Sequence, residues 1–210
     1  MIIMSNENIV ELENKLTPKG TVSVIGCGRL GIRVIMDLIE VHRGGAHQIF
    51  VYDGANIAKN DIIHRKYGAK IGENKAKFAE DFFSDKVVAV CRDITIETVQ
   101  SIKGDVVIIC IAGGDTTPIR EAIIKHCEKN NIKTIGTNGV FGIEESVKVG
   151  DAIYSEGPVN YINIENEGHI VVGTGRYIRD GAPITPYTLE EISKKMVIEC
   201  LKIINKIEML

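Results

Sequence analysis

The chain reads as an α/β protein of the Rossmann-like, doubly wound kind, with a mainly parallel sheet and antiparallel strands near its C-terminus. Three observations predict this. Short apolar runs alternate with amphipathic segments from Thr21 to Thr137. A glycine-rich turn, Gly26-Cys27-Gly28-Arg29-Leu30-Gly31, joins the first run to the first amphipathic segment. Beyond Gly139 the rhythm changes to shorter runs separated by polar, glycine-containing stretches.

Residues 1–20 form a polar amphipathic lead, and Thr21–Ile25 is the apolar run expected of a buried parallel strand. Over residues 30–41, Leu30, Val34, Ile35, Leu38 and Ile39 recur at helical spacing until Gly44-Gly45 ends the element. Residues 48–53 predict a second strand, 75–83 a helix, 86–91 a third strand, 95–101 a short helix and 105–111 a fourth strand. A helix over 118–130 then leads to a strand over 133–137. Residues 161–164 and 169–172 flank Glu165-Asn166-Glu167-Gly168 and predict an antiparallel hairpin. An amphipathic helix over 188–207 carries Leu189, Ile192, Met196, Cys200 and Ile203 on one face. A length of 210 residues suits a single domain, divided into the lead (1–20), a nucleotide-binding core (21–140) and the hairpin with its closing helix (141–210).

A formal net charge of -3 gives no footprint for general nucleic-acid binding. The five cysteines contain no CxxC pair, and their odd number argues against a full disulfide framework, which suggests a reducing interior. They are expected to be structural rather than acyl-carrying. Residues 1–10 lack the basic region and long apolar stretch of a signal peptide, and no run approaches a membrane span. A soluble, cytoplasmic protein is expected.

The turn matches GxGxxG, in which missing side chains let the backbone turn sharply and bring helix N–H groups against a phosphate. Its context is specific: Gly26, Gly28, Arg29, Leu30 and Gly31 follow a strand and open a helix. Asp53, followed by Gly54, ends the next strand 22 residues after Gly31, where a carboxylate can accept hydrogen bonds from ribose hydroxyls. An adenine nucleotide is implied, but an NAD-dependent oxidoreductase or a non-catalytic nucleotide-binding scaffold would show the same fingerprint.

Three further elements follow in order: Asn60-Asp61-Ile62 with His64 and Arg65, then Gly72-Glu73-Asn74-Lys75-Ala76, then Cys110 through Gly113-Gly114-Asp115 to Arg120. Together they resemble the S-N-L-x-R, G-x-x-K-A and C-T-D-N-x-x-x-R segments of the ubiquitin-activating-enzyme-like (ThiF/MoeB-type) adenylyltransferase superfamily. The resemblance implies ATP-dependent adenylation of a carboxyl group with release of pyrophosphate. Lys75 and Arg65 would serve the phosphates, His64 being the alternative to Arg65. Gly113 and Gly114 would border the nucleotide, and Asp115 would hold Mg²⁺, which needs only one or two protein carboxylates. Family members are homodimers.

The sequence departs from the sulfur-carrier enzymes of that superfamily in lacking both CxxC zinc pairs, so no zinc is expected, and in lacking an R-Y-x-R-Q segment near its start. The short zinc-free form resembles a branch of methanogenic archaea that serves biosynthesis of the iron-guanylylpyridinol cofactor of [Fe]-hydrogenase. That resemblance implies guanylylpyridinol as the small-molecule carboxylate and a downstream partner protein that takes the acyl group as a cysteine thioester. For the acceptor, Thr137-Asn138 after the fifth strand and Arg176 in the glycine-rich connection are the candidate contacts, since an arginine can neutralise a guanylyl phosphate.

Overall fold

The computed structural model describes residues 6–83, 85–112 and 115–206. In chain order the elements are α1 (Asn6–Lys15), β1 (Thr21–Ile25), α2 (Gly31–Glu40), β2 (Gln48–Tyr52), α3 (Ile62–Lys66), α4 (Lys75–Phe83), β3 (Val87–Val90), β4 (Val106–Ile109), α5 (Thr117–Lys129), β5 (Lys133–Thr137), β6 (Lys148–Asp151), β7 (His169–Gly173) and α6 (Pro186–Asn205). The strands form a seven-stranded sheet in the order β3-β2-β1-β4-β5-β7-β6. All neighbours run parallel except β6, which is antiparallel to β7 with Val149 opposite Val172.

Strand β4 shows why the sheet is covered on both faces. Its residues alternate sides: Val106 and Ile108 join α2, α4 and α6 in one apolar cluster, while Val107 and Ile109 join Ile123, Ile124 and Cys127 of α5 in another. Strands β2 and β4 lie on opposite sides of β1, so a crevice opens at the carboxyl ends of β1 and β4, where open α/β sheets bind ligands.

Two expected elements are corrected. Residues 161–164 are not a strand: Tyr161 ends a 3₁₀ turn that begins at Pro158, Ile162 turns into the α5-side core, and the Asn163 N–H donates to Glu121 Oε1 at 2.7 Å. The antiparallel partner of β7 is β6 instead, an exposed edge strand with little apolar signal. Residues 95–101 form only a 3₁₀ turn at Val99–Ser101, because the Thr98 hydroxyl takes the Thr95 N–H at 2.8 Å and so offers the backbone a turn in place of a helix. Helices α1 and α3 add to the expected pattern. Helix α6 begins at Pro186, capped by the Thr185 hydroxyl, which accepts from the Thr188 N–H at 3.2 Å. Ile207, the expected end of that helix, lies outside the described residues.

His169 on β7 is buried, with Nδ1 2.8 Å from the Thr134 hydroxyl. Burial, aided by the positive charge of Arg120, lowers its pKa from the ordinary 6.5 to about 4. The unfolded chain therefore binds one more proton between those values, so this contribution to stability is complete above about pH 6.5 and is lost as pH falls toward 4. Unfolding in urea at about pH 7 and about pH 4.5 should show a loss of about 2–3 kcal/mol through this residue. His169→Gln should lose correspondingly less over the same interval, and equal losses in both proteins would contradict the assignment.

Candidate functional site: a nucleotide crevice

Gly26 leaves β1 with φ +93°, and a Cβ there would lie 3.0 Å from the Cys110 carbonyl carbon and oxygen, so the turn seats directly against the exit of β4. At Gly31 a Cβ would fall 1.9 Å from the Gly26 carbonyl oxygen, whereas at Gly28 it would meet nothing within 4 Å. Helix α2 starts at this point without a side-chain cap; the Ile32 N–H already donates to the Gly28 carbonyl at 3.0 Å, so the donors left for an anion are those where the glycine turn enters the helix. Arg29 is exposed beside them. The Leu30 side chain packs in the core, so Leu30 can offer the crevice only its backbone.

The buried Asp53 carboxylate is fixed by two backbone donors, Cys27 N–H at 2.6 Å and Ala55 N–H at 2.8 Å. A carboxylate has about four acceptor sites, so room remains for ribose hydroxyls. Gly54 is held by the Asp93 carboxylate, which accepts its N–H at 2.9 Å. Asn74 ties the following loop down by donating to the carbonyls of Asp53 (3.0 Å) and Ala55 (3.3 Å), and its own Oδ1 caps α4 through the Lys77 N–H at 3.0 Å.

His64 is fully buried with Nε2 2.8 Å from the Cys27 carbonyl, while Nδ1 has no partner among the described residues. A carbonyl only accepts, so Nε2 carries the proton, and burial holds the ring pKa below the ordinary value. A neutral imidazole bound to the inside of the turn braces the loop and is not a phosphate cation. Arg65 is exposed, donating to the Lys59 carbonyl at 2.8 Å. Of the two alternatives it is the one with its charge toward solvent.

Lys75 opens α4 with its carbonyl 3.6 Å from Cys27 Sγ, which brings the lysine to the glycine turn. Its ammonium lies 3.2 Å from Asp61 Oδ1, both side chains 14% exposed. Burial works against the Asp61 charge, but the Ala58 N–H and the Lys75 ammonium hold its carboxyl below the usual range. The ion pair therefore stores a positive charge at the mouth of the turn without leaving it bare. The sequence placed Asp61 only within the Asn60-Asp61-Ile62 segment, without a role, and did not point to Asp93, since only the fold brings the two to their partners. Asn74 carried a local signal, an N-cap residue immediately before a helix.

Asp115 is exposed after β4, and its Oδ1 accepts the Thr117 N–H at 3.1 Å. Gly113 and Gly114 lie outside the described residues. No group of three or more His, Cys, Asp or Glu forms a metal cage among the described residues. A magnesium ion shared with nucleotide phosphates needs no such cage, so one exposed carboxylate at this crevice fits it. The acceptor candidates are occupied internally. The Thr137 hydroxyl accepts from Arg120 Nη2 at 2.8 Å. Asn138 is buried and bonds the Glu156 carbonyl (2.9 Å) and the Val159 N–H (3.0 Å), and Arg176 pairs with Glu145 at 3.3 Å.

Cys27, Cys110, Cys127 and Cys200 are buried, and burial pushes the Cys110 thiol up to about 12. Cys91 is exposed, at odds with a wholly structural set. A groove of about 840 Å³ between α2, α3 and α6, lined by Arg29, Tyr67, Leu189 and Val197 among others, lies beside the turn. Among the described residues no helix is long and apolar enough to cross a membrane.

No protein-family model matches the sequence. The chain is 59% identical over 197 residues to an uncharacterized protein of Methanocaldococcus jannaschii, covering 94% of this chain and 82% of the relative. Its fold is similar to that of HcgE from Methanothermobacter marburgensis with guanylylpyridinol and ATP bound: TM-score 0.86, 42% identity, 91% of this chain and 98% of that one. It is also similar to the E. coli tRNA N6-threonylcarbamoyladenosine dehydratase TcdA in complex with ATP, with TM-score 0.76, 17% identity and 96% of each chain covered, a likeness of fold alone.

Proposed function

We propose that this chain, which belongs to the HcgE family of the ThiF/MoeB-type adenylyltransferase superfamily, uses ATP to adenylate the carboxyl group of guanylylpyridinol and releases pyrophosphate. The observation that carries this reading is the meeting, at the carboxyl ends of β1 and β4, of the uncapped α2 with the Lys75–Asp61 pair locked to the same turn. Such a site binds a polyphosphate and supplies charge where phosphate oxygens become more negative. The bound ligands of the M. marburgensis relative support ATP as the nucleotide and guanylylpyridinol as the acceptor.

In the reaction an acceptor carboxylate oxygen attacks the α-phosphorus. A new P–O bond forms as the bond to the α,β-bridging oxygen breaks, and that oxygen's electrons depart with pyrophosphate. The free N–H groups where the glycine turn enters α2 hold phosphate, Asp53 holds ribose, and Lys75 turns from Asp61 to the departing phosphates, with Arg65 as a second cation. Asp115 would hold Mg²⁺ against the phosphates, and that ion supplies charge neutralisation when bound. A downstream protein cysteine would take the acyl group from the adenylate as a thioester, its sulfur displacing AMP as the acyl C–O bond to the phosphate breaks, and the working form is a cytoplasmic homodimer.

Pyrophosphate release from ATP and Mg²⁺ should depend on guanylylpyridinol, with an acyl adenylate detected by mass. Release without acceptor dependence, or tight NADH binding with no release, would overturn the reading.

A further inference from the structure

Arg120, in the first turn of α5, carries a positive charge that the described residues leave without a counter-ion. Its Nη2 donates to the Ile111 carbonyl at 3.1 Å and to the Thr137 hydroxyl at 2.8 Å, both neutral. Its Nε is buried with no hydrogen-bond partner, and no ion pair to it is formed among the described residues. Burial lowers the guanidinium pKa, opposed only by the Cys110 thiol, which is itself buried and neutral. Arg120 is half-buried, and a charge withdrawn in part from water is normally paired, because desolvating an unpaired one is costly.

Position indicates what would pair it. Ile111 follows β4 and Thr137 ends β5, so the guanidinium bridges the carboxyl ends of two adjacent strands. Strand β4 also borders the glycine turn on its other side. The nucleotide phosphates have their own cation at Lys75 and N–H donors where the glycine turn enters α2. A carboxylate that must reach the α-phosphorus while still ionised needs a separate cation, one strand over. The Thr137 hydroxyl accepts from Arg120 and so keeps its proton available for the same anion.

We propose that Arg120, with the Thr137 hydroxyl beside it, receives and orients the carboxylate of the acceptor. This assignment rests on the adenylation reading above but is tested apart from it, by binding. Calorimetry with guanylylpyridinol and with its carboxamide analogue, which keeps the guanylyl phosphate and loses the carboxylate charge, separates the two anions.

Arg120→Gln should weaken the acid about 10- to 100-fold, leave the carboxamide within about twofold and leave ATP binding unchanged. Unchanged affinity for the acid would overturn the proposal. Equal weakening of acid and carboxamide would also do so, by assigning Arg120 to the guanylyl phosphate or to the fold. Should Arg120→Gln fail to fold, Thr137→Val carries the test, with a several-fold loss confined to the acid expected and no such loss contradicting it. Wild-type protein that binds the acid but releases no pyrophosphate would refute adenylation and leave the Arg120 assignment standing.

Discussion

Lys75→Ala is expected to slow acceptor-dependent pyrophosphate release by about 100- to 1,000-fold, the usual effect of removing one positioned donor from a developing anion. Lys75 sits where α4 begins, its backbone against Cys27, and its ammonium can leave Asp61 for a phosphate by rotating its own side chain. Part of any loss could come from the carboxylate left behind, since Asp61 is mostly buried and would lose its cation. The double variant Lys75→Met, Asp61→Asn separates the effects. It removes both charges, so it should recover the unfolding free energy lost in Lys75→Ala while turnover stays low. Recovery of turnover along with stability would show that the lysine serves only the fold.

Gly31→Ala should destabilise the protein by about 3 kcal/mol or more, because the new methyl group would fall 1.9 Å from the Gly26 carbonyl oxygen, backbone that cannot swing aside. Gly28→Ala is the informative contrast. A Cβ at Gly28 meets nothing within 4 Å, so the fold should keep its thermal midpoint within a few degrees. The methyl group would instead occupy space against which a phosphate packs, and ATP affinity should fall at least about tenfold. Urea unfolding and ATP calorimetry on both variants check the pair. Loss of ATP binding by Gly31→Ala alone, with Gly28→Ala unaffected in both assays, would place the phosphates elsewhere.

The contrast between these glycines also marks what was legible before the structure. Strands β1 to β4 were visible because each is short and largely apolar, β5 because it follows a helical pattern where the strand–helix alternation calls for a strand, and the turn because its glycines stand between a strand and a helix. Strand β6 was not, since Lys148, Val149, Gly150 and Asp151 form an exposed edge with one strong apolar residue. The apolar spacing of Ile162 and Ile164 imitated a strand because both side chains plug the core from an irregular segment. At the site, spacing after the glycine turn brought out Asp53, and Lys75 came from the resemblance of Gly72-Glu73-Asn74-Lys75-Ala76 to the G-x-x-K-A segment. It could not separate His64 from Arg65, adjacent residues of like charge potential that burial assigns to opposite surroundings. The Asp61–Lys75 pair depends on a loop closing over itself, which no periodicity records.

Helix α6 is the main cover for α2: Ser193 donates to Asp37 at 2.5 Å, and Asn205 donates to the Gly44 carbonyl at 2.7 Å, across separations of 156 and 161 residues. During synthesis the glycine turn and its helix therefore leave the ribosome long before the surface that buries them exists. Contacts this distant in sequence are slow to form and leave apolar surface open meanwhile. The nascent chain should acquire its affinity for nucleotide only after residue 205 has emerged, and stalled shorter chains should be captured by chaperones instead of by ATP.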